Sequence, residues 1–215
     1  MGKTRLISDD ASLLREEKLA CLKRSLQECR DCALAAGRIQ VVFGEGNATA
    51  TIMLVGEGPG REEDRQGRPF VGAAGMLLDK ILASIGFSRE EVYIANVVKC
   101  RPPGNRVPKE EEATACLPKL WTQIEIINPK IIILLGATAL QAFKGKDARI
   151  TRERGKWLTY KGISVMPTYH PAALLRDPAK KRPVWEDMKA VRAYYNELNI
   201  NTEEAREDVK KNPCG

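Results

Sequence analysis

Thr51-Ile52-Met53-Leu54-Val55 runs directly into Gly56-Glu57-Gly58-Pro59-Gly60. A short, wholly apolar run that stops at a glycine-rich turn reads as a buried strand ending in a tight bend. Similar runs follow at Val92–Val98, Lys130–Leu135 and Gly162–Pro167. Between and after them lie helical patterns at Gly72–Ile85, Lys109–Ile127, Ala137–Phe143 and roughly Pro183–Leu198. Strands alternating with helices predict an α/β fold, a three-layer α/β/α sandwich with a mainly parallel central sheet. Upstream, Leu19, Leu22, Leu26 and Cys29 repeat at helical spacing behind the capping candidates Asp9, Asp10 and Ser12. An N-terminal helix should therefore run to about Cys29. Residues 1–198 read as a single domain, and the polar stretch Asn199–Gly215 as a flexible tail.

A chain of 215 residues has room for one domain with a sizeable core. Hydrophobic residues at 43% and charged residues at 29% exclude a mostly disordered or collagen-like chain. No stretch approaches the roughly 20 apolar residues that cross a bilayer, and Met1–Asp10 lacks the apolar run of a secretory signal. A cytoplasmic monomer away from membranes is expected. In that compartment six unevenly spaced cysteines point to metal or redox chemistry more than to disulfides.

Net charge is +7, and most of it is local. From Lys144 to Arg182 eleven Lys or Arg face three acids, leaving the rest of the chain close to neutral. A one-sided basic segment suits a phosphate-backbone partner; the plainer reading is a solvated surface.

Ligands of open α/β sheets bind beyond the carboxyl ends of the strands, so the residues after each run are the candidates. The first run leads into Gly56–Asp64, with Arg68-Pro69-Phe70-Val71-Gly72 behind it. The second contains Asn96 and leads into Lys99-Cys100-Arg101-Pro102-Pro103-Gly104-Asn105-Arg106. The last leads into Tyr169-His170-Pro171-Ala172-Ala173-Leu174-Leu175-Arg176, which holds the only histidine. Glu62 and Asp64 read as solvated acids at a helix start. Gly56-x-Gly58-x-Gly60 falls one residue short of a dinucleotide-binding fingerprint, and no phosphate-binding lysine follows.

Cys29-x2-Cys32 can chelate one zinc ion or occupy two corners of an iron–sulfur cluster. Cys100 and Cys116 would complete either set. Zinc sites favour two tight pairs, and the second pair is not tight, so cysteines in three segments suit the larger cluster better, with zinc still open. Cys21 reads as a small buried residue of the first helix, and Cys214 as a dispensable residue of the tail.

Taken together and in order, Gly-Glu-Gly-Pro-Gly-x-x-Glu-Asp, Asn-Val-Val-Lys-Cys-Arg-Pro-Pro, His-Pro-Ala-Ala-Leu-Leu-Arg and the four cysteines closely resemble the family 4 uracil-DNA glycosylases, the iron–sulfur branch of their superfamily. The resemblance covers about Cys29 to Leu198. It implies excision of uracil from DNA by water, leaving an abasic site, with a 4Fe-4S cluster on Cys29, Cys32, Cys100 and Cys116. Phe70 would stack on the base, Asn96 would read its Watson–Crick edge and His170 would meet charge developing at O2. Gly58 would contribute backbone amides. Glu57 or Glu63 would assist the water, and Glu63 is also a candidate for shaping the pocket against thymine. Leu174, with Leu175 beside it, matches the wedge that fills the gap left by a flipped base, and Arg176 would hold a phosphate. The branch that carries an aspartate base has it where this chain has Gly58. Rival readings are a covalent or non-catalytic DNA-binding relative and an electron-transfer protein.

Overall fold

The computed structural model describes the backbone of residues 3–211 and the side chains of residue 10 and residues 12–200. Six strands form one sheet: β1 (Glu45–Gly46), β2 (Ile52–Gly56), β3 (Tyr93–Asn96), β4 (Ile131–Leu135), β5 (Leu158–Tyr160) and β6 (Ile163–Thr168). Their order is β1-β3-β2-β4-β6-β5. The four central strands run parallel, and the short edge strands β1 and β5 pair antiparallel. The sandwich expected from the alternation of runs is the observed one.

All five residues of β2 and of β4 are buried, as befits strands covered on both faces. Alternation splits them between two cores. Met53 and Val55 face α1 (Lys3–Gln27) and α4 (Glu110–Ile127), where they meet Leu26, Leu120 and Ile124. Ile52 and Leu54 face α3 (Ala73–Ser84) and α8 (Lys181–Lys211), where they meet Leu78, Leu82 and Met188. Each such side chain contributes about 1.5–3 kcal/mol by leaving water. The chain passes from β2 to β3 on one side and from β3 to β4 back across β2, so the sheet reverses direction beside β2. The crevice at that reversal is where such folds bind ligands.

Several boundaries differ from expectation. The last helix does not stop near Leu198; α8 continues to Lys211, through most of the stretch expected to be a tail. Cys214 lies outside the described residues. The edge strand β5 escapes a sequence reading because it is three residues long, and its turn uses Lys161 at φ 47° before Gly162 at φ 80°. Such hairpin turns favour Asn or Gly at that first position. Asp64, in α2 (Arg61–Gln66), is not solvated. It is buried, and its carboxylate accepts the Ile39 N–H at 2.9 Å and the Gln40 N–H at 3.3 Å, fastening α2 to the segment beyond Cys32. Glu62 behaves as expected, pairing with Arg65 near the surface. Among the described residues no helix is long and apolar enough to cross a membrane.

The start of α4 is fixed by Glu112. Its carboxylate accepts the Lys109 N–H at 2.7 Å and both Arg106 Nη atoms at 2.7 and 2.8 Å. The Arg106 guanidinium holds this carboxyl down at about 2, against the opposing effect of burial. Because the folded value lies below the ordinary 4.5, the stabilisation is complete above about pH 4.5 and is lost as pH falls towards 2. Glu112→Gln should therefore cost about 1.5–3 kcal/mol at pH 7. Denaturant titrations should show that difference shrinking steadily on acidification; a pH-independent difference contradicts the assignment.

Candidate functional site

The carboxyl ends of β2, β3 and β6 open on a cleft of about 360 Å3. Glu57, Gly58, Glu63, Phe70, Asn96 and His170 all line it, so residues spread over more than a hundred positions converge as the motifs implied. Parallel pairing sets the geometry, because Gly56 and Asn96 are direct partners across β2 and β3.

Asn96 is 1% exposed, and its Oδ1 is the one buried side-chain polar atom among the described residues with no hydrogen-bond partner. An unpaired buried amide oxygen costs about 1–3 kcal/mol, and this acceptor is free to take an N–H. Behind it, the buried Lys99 ammonium donates to the Asn96 carbonyl at 2.8 Å and to Gln123 Oε1 at 2.5 Å. Burial brings this lysine down to about 8. Gln123 in turn donates to the Phe43 carbonyl at 3.0 Å, so the end of β3 is tied into the core.

His170 caps α7 (Pro171–Arg176), its Nδ1 accepting the Ala172 N–H at 3.1 Å. Nδ1 is thereby unprotonated, and the proton of the neutral ring sits on Nε2. Burial, and then the charge of Arg176, push the imidazole down to about 4, outweighing the pull of Glu63. The ring lies 5.5 Å from that of Phe70, at 27°. Beneath it, Thr168 at the end of β6 donates to the buried Asp187 at 2.6 Å, and Arg154 pairs with the same carboxylate.

The two candidate glutamates do different things. Glu63 Oε1 accepts the N–H groups of Val71 and Gly72, both at 2.9 Å, and so binds the loop that carries Phe70. Glu57 accepts from the Thr138 hydroxyl at the start of α5 (Ala137–Lys144). Gly58 is packed tightly: a Cβ there would stand 2.7 Å from Val98 Cγ2, which leaves no room for an aspartate at that position.

One assigned residue is corrected. Leu174 is 2% exposed and belongs to the core against α3 and α8, whereas Leu175 is 50% exposed at the end of α7. A helix turns neighbouring residues about 100° apart, and only one of this pair can face outward. Arg176 is exposed beside Leu175. Within the basic segment Lys144, Arg154 and Lys180 are engaged with Glu153, Asp187 and Asp177.

Cys29, Cys32, Cys100 and Cys116 line a single cavity, although they come from the end of α1, the segment after β3 and the middle of α4. Arg38 fastens its walls. Its guanidinium donates to the carbonyls of Gln27 at 2.8 Å and Cys29 at 2.7 Å, and lies 3.4 Å from Cys100 Sγ. Among the described residues no group of three or more His, Cys, Asp or Glu is placed to hold a single metal ion. Four thiols spread around one cavity fit a four-iron cluster, which takes one at each corner. They fit zinc less well, because zinc draws its ligands to about 2.3 Å from one point. Cys21 is exposed, not buried as its helical position suggested.

Asn105 and Arg106, from the stretch after the second run, line the cleft, and Thr138 joins the site without having been singled out. Thr138 follows the carboxyl end of β4, so the rule that directs attention beyond strand ends extends to it. Arg106 lines the cleft and is bound to Glu112, a partnership that the sequence did not indicate.

Comparison with known proteins agrees with this geometry. Residues 43–189 match the Uracil DNA glycosylase superfamily. The type-4 uracil-DNA glycosylase of Thermotoga maritima is 50% identical over 186 residues, covering 84% of this chain and 96% of that protein. That of Archaeoglobus fulgidus is 44% identical over 81% of this chain and 92% of its own. A type-5 uracil-DNA glycosylase of Pyrobaculum aerophilum is 32% identical over 60% of this chain and 64% of its own. The convergent cleft, the four cysteines of one cavity and these similarities place the chain in the uracil DNA glycosylase superfamily, within its type-4 family.

Proposed function

We propose that the protein flips uracil out of single- or double-stranded DNA and hydrolyses its N-glycosidic bond, releasing free uracil and leaving an abasic site. The observation that carries this reading is the unpaired Oδ1 of Asn96 in the cleft beside Phe70 and His170. Uracil offers a donor at N3 next to an acceptor at O4, which one carboxamide can match with its oxygen and its NH2. Cytosine reverses the order and would leave the buried oxygen facing another acceptor. Phe70 supplies the apolar face on which the flipped base stacks.

Bond cleavage puts negative charge on the uracil and positive character on the sugar. His170, neutral with its proton on Nε2, donates to O2 as that oxygen gains charge; a donor already in place needs no reorganisation. Glu57, held by Thr138, orients the attacking water and faces the cationic sugar. Glu63 shapes the pocket wall through the Phe70 loop. No lysine is among the residues that line the cleft, which favours hydrolysis without a lyase step. Leu175 takes the wedge role, and Arg176 with the unengaged cations of the basic segment contacts phosphates. The partner is uracil-containing DNA, met by a monomer in the cytoplasm.

A 4Fe-4S cluster held by Cys29, Cys32, Cys100 and Cys116 would cross-link three segments and supply no step of the hydrolysis. Cys100 lies four residues beyond Asn96, so the cluster braces the strand that presents the reading amide.

Asn96→Ala and His170→Ala should each slow uracil release from oligonucleotides by about 10^2–10^3-fold with the protein's visible absorbance unchanged; wild-type rates in both would sink the site. Single-turnover kcat should stay flat on the acid side until pH nears the His170 value of about 4, since protonation puts a proton on Nδ1 and breaks the Ala172 bond. A fall centred near an ordinary histidine's value instead argues against a neutral donor. Leu175→Ala should impair excision from duplex far more than from single strands. Leu174→Ala should cost about 2–5 kcal/mol of stability in denaturant titration; the reverse pattern restores Leu174 as the wedge.

A further inference from the structure

We propose that Arg89 is a positioning residue, which holds the base platform by fixing the peptide of Phe70 in a conformation the chain would otherwise avoid. The inference rests on the reading of Phe70 as the stacking face for the base. Phe70 has φ 52°, in the left-handed region where a residue bearing a Cβ is strained and stays only if its surroundings compel it.

Arg89 supplies that compulsion from outside the cleft, in the segment between α3 and β3. Its Nη2 donates to the Pro69 carbonyl at 2.7 Å and its Nη1 to the Phe70 carbonyl at 3.0 Å. The same guanidinium is anchored by Glu45 of β1, at 2.6 and 3.2 Å, and by Asp79 of α3, at 2.8 Å. Two carboxylates thus hold the fork so that two successive carbonyls must face it. On the other side Glu63 draws in the next two amides, Val71 and Gly72. Carbonyls 69 and 70 pulled one way and amides 71 and 72 the other define the bend that turns the Phe70 ring into the cleft. The backbone of α3 closes the third side. A Cβ on Gly75 would stand 1.9 Å from the Phe70 oxygen, so the helix backs directly onto this carbonyl.

Lysine cannot perform this task. It could keep an ion pair with Glu45 or Asp79, but a single ammonium lacks the planar fork that reaches two carbonyls and two carboxylates together. Loss of a purely structural cross-link between β1 and α3 would weaken the fold without regard to Phe70. A positioning role acts on the base only through that ring.

A double-mutant cycle separates the two. Equilibrium binding of free uracil to the cluster-loaded protein is measured for the wild type, Arg89→Lys, Phe70→Leu and the double variant, with melting temperature and visible absorbance followed alongside. Arg89→Lys should weaken uracil binding by about tenfold in the wild-type background and by less than about twofold in the Phe70→Leu background. Arg68→Gln, which removes another ion pair of Glu45 and touches neither carbonyl, should stay within about twofold of wild type. Arg89→Gln carries the same expectation should the lysine variant lose its cluster or its fold. Wild-type uracil affinity in the Arg89 variants, or an equal loss in both backgrounds, overturns the proposal while Phe70 remains the platform. Full affinity in Phe70→Leu itself overturns the stacking reading and this proposal with it.

Discussion

A Cβ at residue 56 would stand 2.4 Å from Asn96 Oδ1 and 2.5 Å from Phe70 Cζ. The site exists because that atom is missing. Gly56 ends β2 directly opposite Asn96 on β3, and at any other residue a side chain there would occupy the space in which the amide and the aromatic ring come together. Parallel pairing brings the strand ends to one edge. The glycine then lets two side chains of different segments approach closely in the cleft.

Everything around this meeting point keeps its two members in place. Asn96 is held from behind by Lys99, whose ammonium ties the Asn96 carbonyl to Gln123. Phe70 is held by hydrogen bonds on both sides of its loop. These restraints let a buried amide oxygen remain unpaired and an aromatic residue remain at positive φ. Each is unfavourable in itself and persists only because the surrounding contacts hold it. His170 is restrained too, its ring oriented by the first turn of α7. All three side chains are thus fixed by contacts of the protein itself, as the reaction proposed above would require.

The cysteine cavity belongs to the same construction. Cys100 follows Lys99, and the segment from Cys100 to Cys116 supplies Pro102, Asn105 and Arg106 to the cleft before it enters α4. Within that segment Glu112, one turn before Cys116, binds Arg106 and ties the loop to the first turn of α4. A group bound by the four thiols would therefore hold one wall of the cleft as well as the end of α1.

Much of this was legible in order along the chain. Apolar runs at Thr51–Val55, Val92–Val98, Lys130–Leu135 and Gly162–Pro167 announce parallel strands, because strands covered on both faces need not alternate. Cysteines at 29, 32, 100 and 116 pointed by type and spacing to metal chemistry, an iron–sulfur cluster ahead of zinc. Periodicity, composition and motif order are properties of the sequence itself; they determined the layered fold and the family, and they pointed to residues that line one cleft. Which side chain does what depended on direction and on partners distant in the chain. Leu174 and Leu175 are indistinguishable as letters, yet α7 buries one and exposes the other. Glu57 and Glu63 differ only once Thr138 is found beside one and two backbone amides beside the other. Asp64, expected in solvent, is buried because Ile39 and Gln40 present unpaired N–H groups to it, and Arg89 matters because the Phe70 loop folds across it. Hydrogen bonds between residues many positions apart form only when packing brings both partners together, so the tertiary structure alone decided those roles.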